Sequence, residues 1–191
     1  MPLIPMRKVF VSCTTADLWQ YREEAMQVIN ELNDEYEERF HLGKATMDTK
    51  LQTGRGETPV NVSTNWVSQS DWIVLIVAWN YGSVPKGQEY SVTECEYQQA
   101  KKESKDCFVF IAGETNDSVR YARKDEGREK VDLVDWHILP KEESKQKEWL
   151  EKQKKLEEFK KHLRESHCTL FSDLEDFCKK LKDTLKSNIS E

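Results

Sequence analysis

The sequence predicts an α/β fold built on an open parallel sheet. Three observations carry that expectation. Short apolar runs rich in β-branched residues recur at Lys8–Ser12, Ile73–Ala78 and Cys107–Ala112. Runs of this kind read as strands buried on both faces. Between them lie segments with helical apolar spacing or helix-start signals, and strand–helix alternation implies a parallel sheet with helices on both sides. The obvious arrangement for five such strands is the flavodoxin-like order 2-1-3-4-5.

Each element follows from its residues. Lys8–Ser12 is the first strand. Thr14 or Thr15 suits the cap of the next helix, with Asp17 favourable in its first turn. That helix runs to about Glu37. Leu18, Ala25, Val28, Ile29 and Leu32 form its apolar stripe, and Arg22, Glu23 and Glu24 lie elsewhere on its surface. Phe40–Met47 is a weaker second strand. Asp48–Glu57, with Gly54 and Gly56, is a loop. Pro59 suits the first turn of a second helix that holds Val62, Trp66 and Val67 and ends before Asp71. After the strand at 73–78, Tyr81-Gly82 and Pro85-Lys86-Gly87 break the chain. A polar helix then opens near Ser91 or Thr93 and runs to about 104.

The fourth strand, Cys107–Ala112, is followed by irregular chain from Gly113 to Pro140. A stretch of that length usually means a functional loop or an insertion. Lys141–Ser166 reads as a long charged helix whose apolar edge is Trp149, Leu156, Phe159 and Leu163. His167–Phe171 is a short fifth strand, and Asp173–Leu185 a final amphipathic helix. The end from Lys186 looks frayed. The expected organisation is a single domain over 1–191. Its core lies at about 7–112 and 167–187, and an insertion carries the long helix at about 113–166.

Composition narrows the classes of function. The chain has 191 residues, 37% hydrophobic and 34% charged, with a net charge of −6. That balance argues against a mainly electrostatic grip on nucleic acid. No apolar run is long enough to span a membrane, and the N-terminus carries no secretory signal. Five cysteines (Cys13, Cys95, Cys107, Cys168 and Cys178) give an odd number with no Cys-x-x-Cys pair. They read as free, mostly buried thiols of a cytoplasmic protein. His41, His137, His162 and His167 show no ligand spacing, so no metal site is expected.

Glu96 is the candidate catalytic residue. It falls in the first turns of the helix after the third strand, and open α/β sheets bind ligands beyond the carboxyl ends of their strands. A plainer role competes with this one. Thr93-x-x-Glu96 and Ser91-x-x-Glu94 both fit a capping box, and helix starts favour acids anyway.

Three linked motifs resemble a known family. The first is Lys8-Val-Phe-Val-Ser12-x-Thr14-x-x-Asp17-Leu18 with Tyr21-Arg22-x-x-Ala25. The second is Asp71-x-x-Val74 with Trp79-x-Tyr81-Gly82-Ser83-Val84-Pro85. The third is Ser91-x-Thr93-Glu94-x-Glu96-Tyr97-x-x-Ala100. Together they resemble a TIR-like domain of unknown function that commonly precedes NACHT or other STAND ATPases, and they cover about the first 115 residues. That family usually has a second serine after the first strand, where this chain has Cys13. Its wider relatives are TIR domains and nucleoside deoxyribosyltransferase-like folds, whose enzymatic members use a glutamate in the helix after the third strand. Glu96 is the matching residue.

The resemblance implies cleavage of an N-glycosidic bond, with NAD as substrate rather than cofactor. It also implies an effector role in innate immune or antiviral signalling, with homo-oligomer formation on activation. Nicotinamide in NAD already bears positive charge and leaves neutral, so a second, acid carboxylate is not required. One preorganised anion can stabilise the ribose cation. The nucleotide would be held by Ser12, Thr14 and Thr15 at a helix start, where free backbone N–H groups favour phosphate. Arg55 in the glycine-bearing loop, and Trp79 and Tyr81 as stacking surfaces, complete the expected set. Ordinary capping, turn and packing roles compete at each of these positions.

Two alternatives stay open. One is a non-catalytic TIR-like module that signals by self-association, using the Trp149–Leu163 edge. The other is a deoxyribosyltransferase-like domain acting on a different nucleoside or nucleotide.

Overall fold

In the computed structural model, residues 7–36, 40–42, 58–113 and 142–189 are described. Strand β1 is Arg7–Cys13, β3 is Trp72–Val77, β4 is Asp106–Ala112 and β5 is Cys168–Phe171. These four form the body of a parallel sheet. A three-residue strand β2, Phe40–Leu42, lies beyond β1 and pairs with Arg7–Val9. The order across the sheet is β2-β1-β3-β4-β5. Residues 43–47 of the expected second strand, and the loop at 48–57, lie outside the described residues.

Helices cover both faces, as the alternating pattern predicts. On one face, α1 (Thr15–Glu35) and α5 (Leu174–Ile189) pack over alternate residues of the sheet such as Val9, Val11, Val74, Ile76 and Phe110. On the other face sit α2 (Pro59–Ser68), α3 (Val92–Lys102) and α4 (Glu143–Glu165). Every residue of β3 is buried, which explains its unbroken apolar run.

Two elements differ from expectation. The chain after Lys186 is helical to Ile189 rather than frayed. Lys186 pairs with Glu35 at 2.6 Å and sits over the Tyr36 ring, while Ile189 packs against the core. Three of the four residues of the expected apolar edge of α4 face this chain's own sheet, and Trp149 is half-buried. Leu156, Phe159 and Leu163 are buried against Leu75, Val77, Val109 and Ile111. Among the described residues, no helix is long and apolar enough to cross a membrane.

Candidate functional site

The sheet changes direction of winding between β1 and β3, and crevices in open α/β sheets form at such switch points. A cavity of about 590 Å³ opens there. Its wall is built from the end of β1 and the start of α1, Pro59 of α2, the β3–α3 loop, the first turns of α3, and Lys152 of α4. Such a volume suits a nucleotide-sized ligand.

Local sequence explains how the wall is shaped. Thr14 takes the cap position of α1, but its side chain does not cap the helix. Its hydroxyl donates instead to the carboxylate of Asp17. The other oxygen of Asp17 accepts from the backbone N–H of Asn80 at 3.1 Å. One buried acid thus ties the β1–α1 turn to the β3–α3 loop. The first turn of α1 is set apart by a kink at Leu18. In the facing loop, Gly82 has φ +88°, and a Cβ there would meet Thr14 Cγ2 at 3.0 Å. Only glycine meets both demands without strain.

Glu96 does not cap its helix. Ser91 does so, accepting from the Glu94 N–H at 3.2 Å. The Glu94 carboxylate accepts from the Tyr81 hydroxyl at 2.6 Å. The Glu96 carboxylate lies on the cavity wall, where Ser12 Oγ donates to it and the buried Ser63 of α2 is a second hydroxyl partner. Glu96 is only 4% exposed. Burial pushes its pKa up to about 7; the Ser12 and Ser63 hydroxyls and the charge of Arg22 pull the other way. A carboxylic acid that titrates near neutrality beside a cavity fits a functional group better than a surface acid.

Residues 8–186 match the family described as a domain of unknown function, DUF4062. The chain belongs to that family. No curated protein and no solved structure matches it. The DUF4062 match runs through α4 and most of α5, well past the three motifs of the first 115 residues.

Within this DUF4062 domain, the structure brings together four of the sequence-predicted site residues. Glu96, Ser12, Thr14 and Thr15 all line the cavity. Trp79 and Tyr81 do not. Trp79 is buried in the core under α1, and Tyr81 is buried with its hydroxyl held by Glu94. Neither presents a ring to the cavity wall. Arg55 lies outside the described residues.

Sequence reasoning missed Arg22, Ser63, Asn80 and Lys152. Arg22 stands seven residues after Thr15, a spacing that in an unbroken helix puts both on one face, although the kink at Leu18 lies between them here. That spacing was the available signal. Ser63 carried none, because a serine in a helix next to valines reads as packing. Cys13 also lines the cavity, but burial pushes its thiol up to about 12, which leaves it a poor nucleophile at neutral pH.

Proposed function

We propose that this domain is a TIR-like N-glycosidase that cleaves the nicotinamide–ribose bond of NAD, serving as an effector in immune or antiviral signalling. One observation carries the reading. Glu96, freed from capping, places a buried carboxylate on the wall of a nucleotide-sized cavity at the carboxyl ends of β1 and β3. The sheet order β2-β1-β3-β4-β5 supports the TIR-like, flavodoxin-like assignment.

The chemistry is economical. The C1′–N bond breaks and its electron pair goes to the pyridinium nitrogen, so nicotinamide leaves neutral. The ribose cation left behind is stabilised by ionised Glu96, held in place by Ser12. Water adds at C1′ and its proton passes to the carboxylate. The ionised form is the working form, so the rate is expected to rise with pH through about 7 and then level off.

Nicotinamide release from NAD at high protein concentration tests this reading. Glu96→Gln is expected to lower the rate by at least about a hundredfold. Equal rates in the two proteins would remove Glu96 from the mechanism.

A second reading, the self-associating module, draws on Leu150 and Leu170, two large apolar side chains that remain 55% and 51% exposed. It expects no nicotinamide release in any assembled state. It also expects Leu150→Arg to abolish concentration-dependent association in sedimentation.

A further inference from the structure

We infer that Arg22 and Lys152 form a clamp for the phosphates of the ligand, which makes the cavity a site for phosphorylated nucleotides rather than nucleosides or free bases. This rests on the reading of the cavity as a nucleotide site, and it names the side chains that meet the anion.

The charge of the wall is the first argument. The chain carries a net charge of −6, yet among the described residues the charged groups lining the cavity are two cations, Arg22 and Lys152, and one acid, Glu96. Burial opposes the charge of that acid. The local balance is therefore positive in an acidic protein. Such a site concentrates an anion against the field of the rest of the molecule.

The second argument is availability. Arg22 makes no ion pair with any carboxylate among the described residues, so its guanidinium fork is open for two-point contact with a phosphate. Lys152 pairs with Glu148 at 2.8 Å, but Glu148 is exposed and Lys152 only partly buried. Pairs of that kind hold weakly, and a phosphate can replace the partner. Lys155 and Lys160, its neighbours on α4, are turned elsewhere, toward the Glu89 carbonyl and Glu157.

The third argument is the start of α1. Thr14, Thr15 and Ala16 line the cavity, and the Thr14 side chain leaves the first-turn N–H groups uncapped. Asp17, the acid of that turn, does not line the cavity. Its carboxylate is turned to Thr14 and Asn80. Thr15 and Ala16 thus bring polar backbone to the same wall as Arg22, on a single turn that the kink at Leu18 sets off from the rest of α1.

Calorimetric titration of the 191-residue chain with ADP-ribose, inorganic pyrophosphate and nicotinamide riboside tests the clamp. ADP-ribose and pyrophosphate are expected to bind, more weakly as salt rises, and the riboside at least about tenfold more weakly than ADP-ribose. Arg22→Gln is expected to weaken ADP-ribose about tenfold, and its combination with Lys152→Gln about a hundredfold, with riboside binding unchanged. Arg22→Lys should recover part of the loss. The clamp is overturned if wild-type protein binds no ADP-ribose. It is equally overturned if the double variant, melting at the wild-type temperature, binds ADP-ribose as tightly as wild type. Nicotinamide release is scored separately. Arg22-dependent ADP-ribose binding without any release would keep the clamp and remove the hydrolase.

Discussion

Glu96 and Asp17 are carboxylates held out of water, and both resist ionisation. Burial raises Asp17 from 3.8 to about 6 and Glu96 from 4.5 to about 7. The unfolded chain gives up these protons at lower pH than the folded one. Between about pH 4 and pH 7 the folded state therefore holds more protons, and stability falls as pH rises through that window, then levels. Each group accounts for on the order of 3 kcal/mol across it. The exposed acids Glu31, Glu103, Glu148 and Asp176 act the other way. Their lowered values give stability that is lost only as pH drops below the usual carboxylate range. Glu96→Gln removes one buried titration. Thermal unfolding should show the variant matching wild type at pH 5 and melting about 5 °C higher at pH 8. An equal difference at both pH values would show that Glu96 does not titrate in this range. A gain in stability on losing a polar side chain is the pattern expected of a group kept for function rather than for the fold.

Helix α3 shows how an element can carry a local cost with no function attached. Its C-terminus closes in a Schellman arrangement, with Lys105 N–H donating to Ala100 O at 2.9 Å and Ser104 N–H to Lys101 O at 3.1 Å. Ser104 must then adopt φ +54°, the left-handed region that favours glycine. Its side chain is exposed, so Ser104→Gly loses no packing. The substitution should stabilise the domain by about 0.5–1 kcal/mol, read as a higher denaturant midpoint at unchanged slope. A lower midpoint would contradict the strain argument.

The elements themselves were largely legible in the sequence, because β3 and α1 announce themselves by continuous burial and by a 3.6-residue stripe. Their lateral order was legible only through the fold class, as the flavodoxin-like 2-1-3-4-5, and not from the residues of any one strand. Nothing in Lys8–Ser12 records that β3 lies beside it. The cavity depends on that adjacency, so Ser12 and Glu96, 84 residues apart, meet only in three dimensions. Trp79 misled for a related reason. An aromatic residue at a strand end looks like a ligand platform until the packing of α1 over it is known.

At the scale of the whole molecule, α4 is the element whose role the sequence hid best. Its apolar residues are few among lysines and glutamates, which resembles a solvated arm within an insertion. A helix needs only a narrow stripe to seal a sheet, and here Leu156, Phe159 and Leu163 are that stripe. Phe159 is 4% exposed and meets the Tyr97 ring edge-on, with centroids 5.7 Å apart, so it couples α4 to α3 as well as to the sheet. Phe159→Ala should cost about 3–5 kcal/mol, a large share of the roughly 5–15 kcal/mol that holds a domain of this size together. The expected result is a melting temperature lower by about 10 °C in one cooperative transition. An α4 that behaved as a separate arm would give a loss under about 1 kcal/mol or an early, independent transition. Lys152 sits on the same helix and lines the cavity. If α4 melts with the sheet, the helix that seals the core is also the one that completes the site, and ligand affinity and global stability should fall together in Phe159→Ala. In Lys152→Gln the two should separate: weaker ADP-ribose binding at an unchanged melting temperature.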